Sequence, residues 1–518
     1  MALRPEDLPE DPALLTEMVL AFDGEIENLR ATIATLRSMI FGPRSERLTT
    51  IVAEQLALDL ADTGAAPPAA ANDDAGQKAS VGKARGKAKR NIGALPKDLP
   101  RVEQTIEPET TLCPCCARQM HRIGEDAVEV LDRVPAMLRV LRIIRPKYAC
   151  RGCEGAIVQA KAPARLIEGG MVSTALVSHI AVAKYGWFST LYRQAQILAG
   201  YGVAIDRQTL ARWMKQAAWM LKGLYDLQLK TMHAHKRLFC DETPMPVLKP
   251  GHGRVKKGQF WAHAVDDRPW AGPAPPAVAY VFAGSRKKTE IAAQLSDFSG
   301  ILQVDGYEAY KSLTRDEQSK GRIALAFCLA HARRKFVAVS KTTRSPFAKE
   351  VVERIAAIYA IEKRIRGKSA EERRAARQAE SAPIMAALHA RLLEVRDGLS
   401  QIATLTKAIN YTLAHWAGLT RFLDDGRLEP DTNIVERPIR PISLGRKNSL
   451  FAGDEGGAET WAILSSLLNT AKLNNLDPET YLTDVLERIV SGRTTHNRLG
   501  ELLAWNWKTE REKAILAA

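Results

Sequence analysis

The chain has 518 residues, 74 of them Lys or Arg and 59 Asp or Glu, for a net charge of +15 at pH 7. That length exceeds what one core serves and implies about three or four domains, while an apolar content of 46% rules out a wholly disordered chain. The basic balance favours a polyanionic partner over a merely soluble basic surface, and no run of about 18 apolar residues offers a membrane span.

The opening MALRPEDLPEDP is acidic and Pro-rich, unlike a secretion signal, so the expected location is the bacterial cytoplasm, associated with the nucleoid, with no membrane contact. Leu15, Val19, Phe22, Ile26, Leu29, Ile33, Leu36 and Ile40 then alternate steps of four and three, the a/d seam of a coiled coil. The seam predicts self-association in preference to a helix packed on its own protein's core. Gly24 is its weak point, and Phe41-Gly42-Pro43 ends it. From Asp62 to Pro100 the composition shifts to Ala, Gly, Pro and Lys. Lys78, Lys83, Arg85, Lys87, Lys89 and Arg90 make this stretch a flexible linker with a basic arm.

Cys113, Cys116, Cys150 and Cys153 form two CxxC pairs in a chain with seven cysteines, the spacing that closes a tetrahedral Zn²⁺ site. The intervening 33 residues exceed the usual run of about 15 to 20 and call for a longer hairpin. The β-rich runs Val128 to Val134 and Leu138 to Tyr148 can supply it. Two disulfides or unrelated buried cysteines are the alternatives, and the lack of a secretion signal disfavours the disulfides.

Three helices are expected next, Thr174 to Tyr185, Ser189 to Ala199 and Asp206 to Met220, with Gly200-Tyr201-Gly202 as the turn before the third. They read equally as a common helical triplet or as a DNA-reading helix-turn-helix. In the latter Asp206 caps the recognition helix, Arg207, Gln208, Arg212 and Lys215 populate its exposed face, and Leu210, Trp213 and Met214 face inward.

A β-rich block follows, with strands at Arg237 to Cys240, Gln259 to Val265, Ala277 to Phe282 and Ile301 to Val304, and a helix near Thr289 to Leu295. Asp241 and Asp305 each end an apolar strand, where carboxylates from neighbouring strands can converge on divalent ions. Glu242, Asp266 and Asp267 compete for that role, and Asp305-Gly306 also reads as an ordinary turn. A further strand, Ile323 to Phe327, leads through Cys328 and His331 into a basic helix. Packing and a helix start explain those two residues better than metal binding, for want of a second ligand pair. After a helical stretch from Phe347 to Leu423, Glu436 stands among Arg437, Arg440, Arg446 and Lys447, cations suited to phosphate oxygens. A capping box of Asn433 and Glu436 is strained by Pro438, so a third metal-binding carboxylate is the sharper reading.

The segments CDETPMPV around Asp241, LQVDGYEAY around Asp305, CLAHARRKF from Cys328 and NIVERPIRPISLGRKNSLF from Asn433 together resemble the transposases of the insertion sequence 66 family. FGPRSERL at Phe41 to Leu48 and the cysteine pairs match that family's N-terminal half. The resemblance implies a multidomain α/β protein with an RNase H-like core and a DDE triad, here Asp241, Asp305 and Glu436. It implies two Mg²⁺ ions, replaceable by Mn²⁺, beside the structural Zn²⁺. It also implies phosphodiester hydrolysis followed by transesterification on double-stranded DNA, both the terminal inverted repeats and the target, and possible element-encoded accessory proteins.

The expected layout is a coiled coil at 1–48, a basic linker at 49–100, a zinc module at 101–165 and helix-turn-helix-like DNA-binding helices at 166–230. The catalytic domain follows at 231–458, with a helical insertion at about 343–428, then a helical C-terminus at 459–518. The rival reading is a catalytically silent DNA-binding regulator derived from a transposase. It accounts for the charge, the cysteines and the helices, and leaves the three carboxylates unexplained.

Overall fold

A computed structural model describes residues 138, 140, 143, 147–149, 157–159, 162–170, 172–249, 255–315, 321–400 and 403–517. Residues 138, 140 and 143 belong to one compact unit, and the rest to another that includes Arg145–Ala518. The coiled-coil seam, the basic linker, the expected strand at Val128 to Val134 and the four paired cysteines lie outside the described residues. A short antiparallel hairpin, β1 (Lys147–Ala149) with β2 (Ile157–Gln159), opens the second unit.

Helices α1 (Thr174–Ala181), α2 (Leu191–Gly200) and α3 (Arg207–His233) follow. Each starts where a side-chain oxygen accepts an otherwise orphaned amide: Ser173 from Leu176, Thr190 from Arg193, and Asp206 from Gln208 and Thr209. The third helix continues well past Met220, because Leu221, Leu224, Tyr225, Gln228 and Met232 extend its buried stripe.

The core is a mixed five-stranded sheet in the order β5-β4-β3-β6-β7, formed by β3 (Arg237–Val247), β4 (Lys256–Val265), β5 (Ala277–Ala283), β6 (Gly300–Val304) and β7 (Ile323–Phe327). Strands β3, β4 and β5 are antiparallel neighbours, whereas β6 runs parallel to both β3 and β7. The expectation that Asp241 ends its strand is corrected here, since β3 continues to Val247. The parallel register with β6 closes at Phe239↔Gln303, and beyond it β3 pairs with β4 alone. That open side is what lets Pro244 and Pro246 sit in a strand, where prolines are tolerated only if no ladder amide is needed.

Among the described residues two hydrophobic cores result. One joins α1 to α3 and the sheet to α12 (Asn433–Asn448), α13 (Glu455–Leu473), α14 (Pro478–Val490) and α15 (Ala504–Ala517). The other joins α6 (Leu329–Thr343) and α7 (Pro346–Ile365) to the helices that follow, α8 (Ala370–Ala376), α9 (Ala382–Asp397), α10 (Thr404–Ala414) and α11 (Trp416–Thr420) supplying the rest of that segment. Between β5 and β7 lie α4 (Lys288–Gln294) and α5 (Glu308–Arg315). The second core is anchored by buried ion pairs: Glu362 pairs with both Arg373 and Arg377, and Arg373 with Glu429, whose backbone carbonyl accepts from Gln303 on β6.

Strand β5 is the outer strand of the sheet, and α3 and α13 cover its free hydrogen-bonding edge. The Tyr280 amide donates to Ser466 Oγ at 2.8 Å and the Val278 amide to Thr470 Oγ1 at 3.1 Å. The Val278 carbonyl accepts from Gln228 Nε2 at 2.9 Å, and the Tyr280 carbonyl from Tyr225 Oη at 2.8 Å. Side chains thus do for this edge what another strand would otherwise do.

Candidate active site

In a parallel pair, residues in register point to the same face. Extending the β3/β6 register by two residues sets Asp241 opposite Asp305, so their carboxylates share a face where the parallel pairing ends. Helix α12 packs on that face, where Arg446 Nη2 donates to Thr243 Oγ1 at 3.1 Å, and it brings Glu436 to the same end. The three are near enough that burial first, and then the charges of Glu242, Glu436 and Asp305, drive the Asp241 carboxyl well above the usual carboxylate range. One Asp241 oxygen accepts the Glu242 amide at 2.8 Å.

The competing acids are engaged elsewhere. Glu242 alternates to the opposite face, where Tyr310 Oη donates to it at 2.8 Å and the Arg286 guanidinium pairs with it. Asp266 is bound by Arg268 and Asp267 by Arg237, at the far end of β4, which runs antiparallel to β3.

Asp305 caps its own turn. Its Oδ1 accepts the Tyr307 amide at 2.8 Å, while Gly306 takes φ +95°. A Cβ at Gly306 would stand 3.0 Å from His415 Nε2 and 3.1 Å from Tyr411 Oη, so glycine is needed for close approach as well as for φ. Tyr411, on α10, donates to the Asp305 carbonyl at 2.8 Å. The helical segment between the two halves of the site therefore touches it directly.

Glu436 lies in the first turn of α12, which runs through Pro438 and Pro441 despite the expected strain. The Pro438 carbonyl accepts from Tyr280 Oη at 2.5 Å. Thr432 Oγ1 donates to Glu436 Oε1 at 3.0 Å, His331 Nδ1 stands 3.7 Å from the same oxygen, and Arg334 Nη2 stands 3.9 Å from Oε2. Donor atoms of Cys328, His331 and Glu436 all lie within 4.8 Å of one another. Burial holds the His331 ring below its usual range, against the pull of Glu436. Sequence reading weighed Cys328 and His331 without a partner, and the partner proves to be Glu436, distant in the chain.

Of the expected phosphate contacts, Arg437, Arg440 and Lys447 are exposed, and Arg440 and Lys447 recur on the Glu436 side of α12. Arg446 is half-buried and hydrogen-bonded to Thr243 and Ser443. Arg207, Gln208, Arg212 and Lys215 are all exposed on the first turns of α3, with Leu210, Trp213 and Met214 buried behind them.

The family model "Transposase IS66 family" matches residues 169–460, which contain all three carboxylates. The chain belongs to the IS66 family of transposases. Models described as "zinc-finger binding domain of transposase IS66", "IS66 C-terminal element" and "Transposase C of IS166 homeodomain" match residues 110–154, 466–505 and 28–103. The first contains all four paired cysteines and supports a zinc site there, and the family's DDE description implies a divalent metal.

Similar full-length relatives are two uncharacterized proteins of Sinorhizobium fredii (strain NBRC 101917 / NGR234). One, y4jD, is 54% identical over 98% of this chain and 99% of its own length, and the other, y4qI, is 38% identical over the same shares. Among the described residues, no helix is long and apolar enough to cross a membrane.

Proposed function

We propose that this chain cuts and rejoins DNA at the ends of an insertion element, with Asp241, Asp305 and Glu436 as its catalytic carboxylates. The observation that carries the reading is the convergence of three carboxylates on one face, where burial first and then neighbouring negative charge hold Asp241 well above its usual range. Carboxylates from β3, the β6 turn and α12 converge, and Arg334 stands 3.9 Å from Glu436. Such a set fits divalent cations, which remove the repulsion. Bound there, two ions, Mg²⁺ or its substitute Mn²⁺, would polarise the phosphoryl group and supply a nucleophile at neutral pH.

The chain's own residues do the rest. Thr432 and Arg334 orient Glu436, and the Gly306 turn holds Asp305. Arg440 and Lys447, with Arg437 and Arg446 on the flanks of the helix, meet the DNA backbone. The order of events is hydrolysis that frees 3′-hydroxyls, then transesterification in which those hydroxyls join target DNA. The five-stranded mixed sheet, three antiparallel strands followed by two parallel ones, supports an RNase H-like core for this chemistry.

The zinc module and the exposed basic start of α3 are assigned to the terminal inverted repeats, and the Leu15 to Ile40 seam to pairing of protomers, with accessory proteins of the element as further partners. The layout expected from sequence, with its zinc module at 101–165, DNA-binding helices at 166–230 and catalytic domain at 231–458, is retained as part of this proposal.

The test is incubation of the purified chain with a labelled duplex carrying the terminal repeat, in Mg²⁺ or EDTA, beside Asp305→Ala. Metal-dependent nicking at the repeat boundary, absent in the variant while binding persists, is the expected result. Binding without nicking in both proteins would replace this reading with that of a silent regulator.

A further inference from the structure

Cys328 and His331 play no part in the chemistry above. Hard divalent ions of phosphoryl transfer take oxygen ligands, and a thiol beside such a site is of no use to them. Yet Cys328 is buried at the start of α6, His331 lies three residues on, and both face Glu436 at the start of α12. The two helix starts are joined by the Leu329 amide, which donates to the Pro430 carbonyl at 2.8 Å. His331 Nδ1 is buried without a hydrogen-bond partner, although a buried ring nitrogen normally has one.

We propose that Cys328, His331 and Glu436 form a second site, overlapping the first at Glu436, for a thiophilic divalent ion, Zn²⁺ in preference to Mg²⁺. One sulfur, one imidazole nitrogen and one carboxylate oxygen within 4.8 Å of each other are the donor types and number of an open zinc site. Ligand softness, together with the affinity order of divalent metals, sets the preference for zinc. Because Glu436 belongs to both sites, an ion held by Cys328 and His331 draws that carboxylate away from Asp241 and Asp305. Zinc is then an inhibitor of the Mg²⁺-supported reaction, a consequence that rests on the catalytic reading above, whereas zinc binding itself does not.

The experiment counts zinc. Full-length chain is dialysed against buffered Zn²⁺, and metal per chain is measured for wild type, Cys328→Ser, His331→Gln, and a variant with Cys113 and Cys116 both changed to Ser. Serine is a good N-cap, so Cys328→Ser keeps the start of α6 while removing the soft donor. The expected result is one zinc fewer per chain in Cys328→Ser and in His331→Gln than in wild type. The affinity of the lost site should fall by about 100-fold or more, since even an outer-shell partner is worth about 10- to 100-fold. The double Cys113/Cys116 variant should lose its own ion and keep this one.

Equal zinc in wild type, Cys328→Ser and His331→Gln would overturn the proposal. A second ion that depends on Cys328, in a protein that never nicks DNA, would uphold the site and dismiss the catalytic reading instead. Where nicking occurs, wild type should be inhibited by micromolar Zn²⁺ in the presence of Mg²⁺ and Cys328→Ser should resist it.

Discussion

The outer edge of β5 and the end of the parallel β3/β6 pairing lie on one sheet and solve opposite problems. At β5 the outward amides and carbonyls at Val278 and Tyr280 meet oxygen or nitrogen atoms of Ser466, Thr470, Gln228 or Tyr225. At Asp241 acidic groups are brought together and one is pushed far from its usual ionisation. A fold can carry such an arrangement when the rest of it is well satisfied, and the strain then marks where a ligand belongs. The first edge serves stability and the second, on the proposed function, serves chemistry, so changes at each should move different observables.

The largest expected effect is at the site. Asp241→Asn keeps the shape and removes a buried charge, and cleavage in Mg²⁺ should fall by about 1000-fold, the scale of losing one preorganised group that stabilises transition-state charge. In metal-free buffer the same variant should be more stable than wild type by about 0.5 to 2 kcal/mol in urea unfolding, the usual exchange of activity for stability. A loss of stability would mean that Asp241 supports the fold rather than the chemistry.

Acid separates the two regions next. On the sheet face opposite Asp241, His233 Nε2 lies 3.2 Å from His263 Nδ1, and His263 Nε2 lies 3.0 Å from Gln294 Oε1. Burial lowers His263 to about 3 and His233 to about 4, with the His233 charge adding to the first and Asp297 opposing the second. Both folded values lie below the ordinary 6.5, so the unfolded chain binds protons first. This contribution is complete above pH 6.5 and is lost as pH falls towards 4 and 3, at up to about 1.4 kcal/mol per pH unit for each ring. Stability of His263→Gln measured from pH 7 to 4 should depend less on pH than that of wild type. Equal slopes would remove the pair from the account.

The sealed edge gives a smaller effect. Thr470→Val keeps the volume and removes the hydroxyl that serves both the Val278 amide and its carbonyl, and should cost about 1 to 3 kcal/mol in unfolding, the penalty for stranding buried polar groups. Cleavage per folded molecule should be unchanged. A change in cleavage without a change in stability would invert the division between the two regions.

These regions were unequally legible in the sequence. Asp241, Asp305 and Glu436 stand in ordered motifs and could be named as candidates residue by residue, and the cap at Asp206 with its exposed basic face follows from local spacing. The extent of β3 was not, because Pro244 and Pro246 argue locally against a strand and only the absence of a neighbour beyond Phe239 makes them acceptable. Ser466, Asn469 and Thr470 look like polar interruptions in an apolar helix until β5 is placed beside them. His331 lacked a partner in the sequence for the same reason: its neighbour Glu436 is local only in three dimensions.

The smallest effect tests whether the site ends at its carboxylates. Tyr411 and His415 come from the helical segment between the second and third carboxylates, and they close on the Gly306 turn from outside the sheet. Removing only the hydroxyl, in Tyr411→Phe, deletes the bond to the Asp305 carbonyl and leaves the ring under Lys335, whose ammonium lies 4.2 Å from its centroid. A hydrogen bond of this kind is worth about 0.5 to 1.5 kcal/mol, which converts to roughly a 2- to 12-fold fall in cleavage if the segment positions Asp305. DNA affinity should stay the same, since the phenol oxygen is spent on the backbone of the turn. If cleavage is unaltered while thermal stability falls by the same energy, the helical segment braces the fold and the site consists of the sheet and α12 alone.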